Sequence, residues 1–305
     1  MNQMGYACIN MQLSNSKPKI YTGRSMIKRT FKSKGIEYAS QLGLDNCKDL
    51  YKILEWNNEN GFKFFRCTSN LFPWSSEYEL KDMPDYEEIC NVLKSCGEYI
   101  HNNNMRITSH PGPFNVLTSP HEHVVDNCIK DLSVHGEVFD LMNLSRTPYN
   151  KINIHIGGAY GDKVSAMERF CTNFHRLPES VKSRLTVEND DKASMYSVVD
   201  LYEGVYKVIG IPIVFDYHHH RFCTGGLTEE DALEVAISTW VDIVPVVHYS
   251  ESRNIEQEDD KIRPQAHSDY VLDYIDTYGN RVDIMVEAKA KELAVLKYKE
   301  VHGIL

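Results

Sequence analysis

The sequence predicts the α/β class and, within it, a single barrel of parallel strands that are each followed by a helix. Two observations lead to this prediction. Short apolar, β-branched runs recur eight times along the 305 residues. Between them lie amphipathic stretches with apolar residues three and four positions apart. This alternation is typical of parallel strands joined by helical crossovers, and eight such units can close into a (β/α)8 TIM barrel.

The predicted strands are short and rich in Ile, Val and Phe. In chain order they cover residues 5–9, 62–66, 106–109, 152–156, 185–187, 211–215, 243–247 and 282–286. The clearest helical patterns cover residues 45–58, 86–101 and 229–239, the last with Thr228 as its N-cap.

One domain over residues 1–305 is expected, because no break in composition interrupts the alternation. Two polar segments with little helical pattern, residues 10–35 and 249–268, are predicted to be functional loops. The alternative fold is a doubly wound open sheet. It is less favoured because an open sheet would not bring many strand ends to one point.

Six predicted strands end in, or are directly followed by, a residue that can bind a metal ion. These residues are His110, His155, Glu188, Asp216, His248 and Glu287. The carboxyl ends of barrel strands converge on the face that carries the active site in this fold. The sequence therefore predicts a site for several divalent cations at that face.

Imidazole and carboxylate ligands without thiolates suit Mn, Zn, Fe or Co better than Mg or Ca. Glu188 could bridge two ions, an arrangement that serves phosphate-ester cleavage and also suits sugar isomerisation. Asp216 is followed by three histidines that cannot all serve one centre. His219 is the preferred ligand, and His218 and His220 remain alternatives.

The composition is that of a globular protein, with 42% hydrophobic and 25% charged residues and a net charge of −10. Taken alone, this charge argues against binding to nucleic acid, although bound divalent ions would invert the local sign at the site. The chain has neither an apolar stretch long enough to span a membrane nor an apolar signal core in its first 30 residues. Its eight cysteines form no Cys-x-x-Cys pair, which indicates reduced thiols. We therefore expect an intracellular protein, cytoplasmic or in the nucleoid or nucleus, with no membrane partner.

The residues at the strand ends belong to sequence blocks that closely resemble the UV damage endonuclease family. The blocks, in chain order, are Gly5-Tyr6-x-Cys8-x-Asn10, Arg66-x-Thr68-Ser69-Asn70-Leu71-x-Pro73, Ser109-His110-Pro111-Gly112, residues 155–161, residues 185–190, Asp216-x-x-His219-His220, His248, Arg263-Pro264-x-Ala266-His267 and residues 283–292. Any one block is a weak signal, but their order along nearly the whole chain is specific.

The resemblance implies a TIM barrel akin to endonuclease IV and a centre of two or three divalent ions, usually Mn²⁺, with Zn²⁺, Co²⁺ or Mg²⁺ as other possibilities. It assigns His110, His155 and Glu188 to one ion. A second ion would share Glu188 and add Asp216, His248 and Glu287. A third would bind His219 and His267. The catalytic residues implied are Glu188, Tyr6 and His219, although Tyr6 could equally be a core tyrosine.

The family resemblance also implies the reaction. Its members cut damaged double-stranded DNA immediately 5′ of UV photoproducts, namely cyclobutane pyrimidine dimers and 6-4 photoproducts, and leave a 3′-hydroxyl and a 5′-phosphate. DNA contacts are expected along the basic segment that precedes residue 36 and on the loop after His110. The expected DNA-binding residues are Asn10, Lys17, Lys19, Arg24, Lys28, Arg29, Pro113 and Phe114.

Two positions depart from the family pattern. The pair after His-Pro-Gly is often Gln-Tyr, which is thought to wedge into the duplex opposite the lesion. Here it is Pro113-Phe114, so stacking remains possible while the side-chain amide is lost. Some members also carry a lysine two residues before the histidine of strand seven, where this chain has Val246.

The main hypothesis is thus a monomeric, metal-dependent UV damage DNA endonuclease that acts in DNA repair. Three alternatives remain. The chain could be an abasic-site endonuclease of the endonuclease IV type, a metal-dependent sugar isomerase or epimerase on the same barrel, or a damage-binding protein without catalysis. The basic segment near the N-terminus and the extra histidine pair argue against a sugar enzyme. Every expected ligand position carries a residue that can bind a metal, which argues against a protein that has lost catalysis.

Overall fold

Eight parallel strands form a closed barrel in the computed structural model, which describes residues 2–304. The strands are β1 Met4–Ala7, β2 Phe64–Cys67, β3 Arg106–Ser109, β4 Ile152–Ile154, β5 Leu185–Glu188, β6 Ile213–Asp216, β7 Val246–Tyr249 and β8 Asp283–Val286. Each strand pairs with the next along the chain, and β8 pairs with β1 to close the ring. The predicted TIM barrel is confirmed, and ring closure excludes the open sheet.

Helices surround the barrel. They are α1 Met11–Ser14, α2 Lys28–Glu59, α3 Tyr86–Asn102, α4 Glu122–Leu141, α5 Lys163–Phe174, α6 Glu179–Lys182, α7 Val198–Leu201, α8 Lys207–Ile209, α9 Tyr217–His220, α10 Glu229–Ser238, α11 Arg253–Glu256 and α12 Glu292–His302. A π-helical turn, Tyr202–Tyr206, joins α7 to α8, and short 3₁₀ turns cover Ser75–Glu77, Leu80–Asp82 and Pro148–Asn150.

Several predicted boundaries were wrong. The segment 10–35 contains α1 and the first turns of α2, which a non-helical Gly35 (φ 68°) separates from the longer part of that helix. The strand predicted over 243–247 begins later, so His248 lies within β7 and does not follow it. The N-cap of α10 is confirmed, because the side chain of Thr228 accepts a hydrogen bond from the amide of Asp231.

Strand residues alternate between the barrel interior and the helical layer, as the two-residue period of a strand requires. An apolar layer in the interior contains Ala7, Phe64, Val214, Val246 and Met285. Because every second residue faces inward, the interior positions that follow this layer toward the carboxyl ends carry polar side chains. The barrel interior thus has an apolar layer, and the face at the carboxyl ends of the strands above it is polar.

The other end of the barrel is closed by an ion pair. Nη1 of Arg106 lies 2.8 Å from Oδ2 of Asp283, and the same guanidinium donates to the carbonyl oxygens of Val244 and Tyr149. The eight cysteines are free thiols, in agreement with the sequence prediction. None of the helices between residues 2 and 304 is long and apolar enough to cross a bilayer.

Candidate metal centre

Glu188, the last residue of β5, is the central side chain of the polar face. It is 1% exposed and has four imidazoles around it. Oε2 lies 3.1 Å from Nε2 of His110 and 3.1 Å from Nδ1 of His248. Oε1 lies 3.3 Å from Nδ1 of His219 and 3.8 Å from Nε2 of His155. The carboxyl ends of β3, β4 and β7 and the short helix α9 therefore bring four imidazoles to one carboxylate.

Two groups of side chains within this cluster have the spacing of a metal site. His110, His155 and Glu188 form the first, and Glu188, Asp216 and His248 form the second. In each group the candidate ligand atoms all lie within 4.8 Å of one another. Because Glu188 belongs to both groups, the residues present fit a metal site that is built around this carboxylate.

Asp216 supplies a further sign that the cluster fits a cation. Its side chain caps α9 by accepting the amide proton of His219 at 2.8 Å, and its backbone is paired with the side chain of Asn189. Oδ2, however, is buried without a hydrogen-bond partner among the described residues. Burial raises the pKa of this carboxyl above its usual value. A buried carboxylate oxygen without a partner is costly unless it is protonated or bound to a cation.

Glu287, at the end of β8, joins the cluster from the opposite side. Oε1 lies 3.0 Å from Nδ1 of His248 and also pairs with the guanidinium of Arg66. Burial opposes ionisation of Glu287, yet the positive charge of Arg66 holds the pKa of this carboxyl well below its usual range. Glu287 is thus kept as an anion that is available to a metal.

His219 and His267 form a pair beside this cluster. Nδ1 of His219 lies 2.9 Å from the carbonyl oxygen of Asn189, and Nδ1 of His267 lies 2.9 Å from that of Glu287. If both nitrogens donate to these carbonyls, Nε2 of each ring is the acceptor that a cation needs. The ring centroids are 6.1 Å apart. Among the three adjacent histidines, His219 contacts Glu188, while His220 packs on Phe215.

The histidines around Glu188 differ in charge because their surroundings differ. Burial lowers the pKa of His110 to about 4, which keeps its imidazole neutral. Burial also opposes a charge on His155, but Glu188 and Asp190 outweigh it and raise the pKa to about 9. For Glu188 burial is likewise outweighed, by His248 and His155, so its pKa lies well below the usual range. A metal ion would replace the proton on His155 as the partner of Glu188.

Several residues of the site are not among the site residues predicted from the sequence. Lys151 precedes β4, is fully buried, and places Nζ 3.1 Å from Nε2 of His248. Burial lowers the pKa of Lys151 to about 7. Asn153 donates to Oε2 of Glu188, and Oδ1 of Asp190 lies 2.9 Å from Nδ1 of His155. Lys151, Asn153 and His155 alternate along β4 and so share the interior face.

The second departure from the family pattern is visible in the interior. Val246 lies in the apolar layer beneath His248, as the sequence indicates. A lysine is nevertheless present in contact with His248, and it comes from the segment before β4.

Tyr6 and Asn10 do not lie where their predicted roles require. Gly5 and Ala7 face the interior, so Tyr6 points outward and packs against Phe62 and Phe65. Its hydroxyl pairs with Asn57 of α2 and accepts a hydrogen bond from Asn10. Asn10 is 1% exposed and caps α1. The core alternative for Tyr6 therefore fits the structure, and the contacts of Asn10 are internal.

The expected DNA-binding side chains fall into two groups. Lys17, Lys19, Lys28 and Arg29 are exposed. Arg24 is engaged, because its guanidinium pairs with the buried carboxylate of Asp49 and with the carbonyl of Tyr21.

The loop after His110 presents an aromatic ring to solvent. Phe114 is 88% exposed and follows an exposed Pro113, while Asn115 fixes the loop by donating to Gly112 and Asp131. Together with His110, His155 and Glu287, this loop lines a cavity of about 630 Å³. The candidate metal residues therefore open onto a cavity with an exposed aromatic ring on the same loop as one of them.

Known proteins resemble this chain in sequence over nearly its whole length. The model of the UV-endonuclease UvdE family matches residues 2–304. The chain belongs to this family. It is 35% identical to a UV-damage endonuclease of Schizosaccharomyces pombe over 97% of its length, and it spans 50% of that relative. It is 31% identical to a putative UV-damage endonuclease of Acanthamoeba polyphaga mimivirus, covering 97% of this chain and 91% of the relative.

A solved UvdE-family structure has the same architecture. The crystal structure of SacUVDE superposes with a TM-score of 0.84 at 30% identity and covers 99% of this chain and 98% of that protein. A D-tagatose 3-epimerase-like protein matches with a TM-score of 0.56 at 15% identity, which shows a shared barrel fold alone. UvdE relatives carry names that describe DNA endonucleases, that is, hydrolases of phosphodiester bonds.

Proposed function

We propose that this chain hydrolyses the phosphodiester bond immediately 5′ of UV photoproducts in DNA and leaves a 3′-hydroxyl and a 5′-phosphate. Cyclobutane pyrimidine dimers and 6-4 photoproducts are the proposed substrates, within DNA repair. The observation that carries the proposal is the convergence of His110, His155, His219 and His248 on the buried carboxylate of Glu188. Membership of the UvdE family supports it independently.

The proposed centre holds two or three divalent ions, with Mn²⁺ as the working ion. Their ligands would be His110, His155 and Glu188 for the first and Glu188, Asp216, His248 and Glu287 for the second, with His219 and His267 at the third. When bound, such ions polarise a phosphate and make a water molecule more acidic.

The protein's own groups hold this centre and the substrate phosphate in place. Asp190 and the carbonyls of Asn189 and Glu287 fix the rings of His155, His219 and His267, so that little reorganisation is needed on binding. The guanidinium of Arg66 lines the same cavity and brings a fixed positive charge toward the phosphate.

The exposed lysines and Arg29 of the N-terminal segment are proposed to contact phosphates of the duplex. Such contacts set register and affinity without reading sequence. Phe114 is proposed to unstack bases at the lesion, since an aromatic face alone suffices for stacking. We also propose that the protein acts inside the cell, where its DNA substrate is found.

A second candidate is cleavage at abasic sites. Pro113 favours it, because a rim without the side-chain amide that the family pattern implies at this position cannot use that amide to read the bases around a photoproduct. The same assay distinguishes the two activities.

The proposal is tested by a nicking assay on duplexes that contain one thymine dimer, one abasic site or no lesion. Each duplex is labelled at either end and incubated with Mn²⁺, Co²⁺, Mg²⁺ or Zn²⁺. Cleavage 5′ of the dimer, with a 3′ end that a polymerase extends, is the expected result. Glu188→Gln should abolish cleavage while circular dichroism shows an unchanged fold, and Glu168→Gln on the exposed side of α5 should cut normally. Equal cleavage by metal-free protein would exclude the mechanism.

A further inference from the structure

Tyr160, on the loop between β4 and α5, combines an exposed ring with an uncommon backbone conformation. It is 50% exposed, and its backbone has φ 49°, in the left-handed region that bulky side chains rarely occupy. Such conformations persist where the surroundings determine them, and they concentrate at functional sites. The loop begins directly after His155, a proposed metal ligand.

The loop that carries Tyr160 is packed tightly against the loop that carries Phe114. Gly157 has φ 108°, and a Cβ there would lie 2.5 Å from Cγ1 of Val116 and 2.7 Å from Oγ1 of Thr118. The backbone at Gly157 therefore packs against the side chains of Val116 and Thr118 with no room for a side chain of its own. One cavity wall is shared by the two loops, because Val116, Gly157 and Gly158 all line the cavity of the metal site.

A side chain from α5 connects Tyr160 to the Phe114 loop. Nε of Arg169 donates to the carbonyl oxygen of Thr118 at 2.8 Å, and its guanidinium carbon lies 5.8 Å from the centre of the Tyr160 ring. A Cβ at Gly158 would lie 3.2 Å from the same ring, so the ring also rests on the backbone of its own loop. Tyr160 is thus held in place although half of its surface faces solvent.

The rim consequently carries two exposed aromatic rings on adjacent loops beside the cavity that His110 and His155 line, and of these two rings it is Tyr160 that contacts hold in place. Exposed aromatic rings that backbone and cation contacts hold in place are suited to stack on nucleobases, which all present a π face. The cation next to Tyr160 adds attraction for the DNA strand that brings the base.

We propose that Tyr160 is a nucleobase-stacking residue, distinct from Phe114, and that its aromatic ring rather than its hydroxyl makes the contact. The inference rests on the proposed function in that its ligand is DNA. Its expected effect is on binding of the damaged duplex and therefore on KM more than on kcat.

The test measures binding without metal, so it does not depend on cleavage. Protein in EDTA is titrated into a thymine-dimer duplex with 2-aminopurine placed in turn at each position near the lesion. Tyr160→Asn removes the ring and suits the left-handed backbone. We expect it to weaken binding about tenfold and to abolish the fluorescence change at one position, because a loss of this size is what removing one base–aromatic stacking contact produces.

Two further variants make the result specific. Tyr160→Phe should bind within about twofold of wild type, because it keeps the stacking face. Tyr274→Asn removes a tyrosine that is 69% exposed at the other end of the barrel, near Met4 and Ile284, and should change neither measurement.

The outcomes separate this inference from the proposed function. If Tyr160→Asn binds with wild-type affinity and an unchanged fluorescence profile, the inference is wrong even if the wild type cuts. If the wild type does not cut with any metal but the fluorescence change still depends on the ring of residue 160, the cleavage proposal fails and the stacking role stands. If Tyr160→Phe loses as much binding affinity as Tyr160→Asn does, the inference is also overturned, because the ring alone would not explain the effect.

Discussion

Oδ1 of Asp190 lies 2.9 Å from Nδ1 of His155, on the side of the imidazole away from Glu188. Asp190 is itself held by Tyr196, whose backbone amide donates to Oδ2 of Asp190 at 3.2 Å. The contact leaves Nε2 of His155 directed at Glu188, 3.8 Å away. A carboxylate behind a ligating histidine fixes the orientation of the ring and increases its basicity.

This arrangement predicts that Asp190→Asn weakens metal binding although Asp190 is not a ligand. We expect a loss of affinity of about 10- to 100-fold for the ion that His155 binds. Calorimetric titration of the metal-free protein with Mn²⁺ measures it. Asp191→Asn is the matched control, because it removes the same charge from the neighbouring residue on the same loop. Equal losses in the two variants would indicate general electrostatics and contradict the positioning role.

A second prediction concerns Arg66 and Glu287, whose side chains are 12% and 13% exposed and form an ion pair. Arg66→Met leaves the carboxylate of Glu287 without its guanidinium partner. We expect the metal-free protein to lose about 3 kcal/mol of unfolding free energy, because breaking a buried pair leaves the remaining charge buried without its partner. Mn²⁺ should recover part of the loss, since a bound cation can take the place of Arg66.

Denaturant unfolding with EDTA or with Mn²⁺ provides the measurement for this pair. Lys207→Met breaks an exposed pair with Glu203 on the outer surface and should have little effect in either condition. A loss in Arg66→Met that is the same with and without metal would argue that Glu287 does not bind an ion.

The sequence was sufficient to predict the closed barrel and the cluster of His, Asp and Glu side chains at its strand ends. Both follow from local patterns, because an apolar run followed by His, Asp or Glu marks the carboxyl end of a strand wherever it lies in the barrel. His110 and Glu188 are 78 residues apart, yet the topology alone brings them together.

The direction of individual side chains was harder to predict. Tyr6 was expected beside the metals, but a strand turns each successive residue to the opposite face, so a shift of one position moves a side chain from the site to the core. Lys151 looks like a loop lysine in the sequence, and only closure of the barrel reveals its contact with His248, 97 residues away. The contacts of the N-terminal segment were also not predictable, because Arg24, which precedes α2, pairs with Asp49 within that helix.

A third prediction is a pH dependence from His135. Its side chain is 11% exposed on α4, and its Nδ1 lies 3.4 Å from Oγ of Ser109. Burial lowers the pKa of His135 below the ordinary value of 6.5, although Asp131, 4.0 Å away, opposes the shift. The folded state therefore binds fewer protons than the unfolded state just below pH 6.5. Stability from this residue is complete above that pH and is lost as the pH falls further.

The measurement compares unfolding free energies of wild type and His135→Gln between pH 7.5 and 5. We expect the wild type to lose more stability than the variant over this range. His175→Gln serves as the control because His175 is exposed at the end of α5. Parallel curves for wild type and His135→Gln would show that His135 does not contribute.

The last prediction concerns lesion recognition by Phe114. Because its ring is 88% exposed, Phe114→Ala should leave the unfolding free energy nearly unchanged, whereas loss of stacking should weaken binding to a damaged duplex by about 1–3 kcal/mol. Pro113→Gln restores a side-chain amide at the neighbouring position. It should sharpen the preference for a thymine dimer over an abasic site. Competition binding with both lesions measures the two effects, and Val241→Ala, at a residue that is 71% exposed beyond the opposite end of β7, is the control. If Phe114→Ala binds both lesions as tightly as the wild type does, the ring does not enter the duplex.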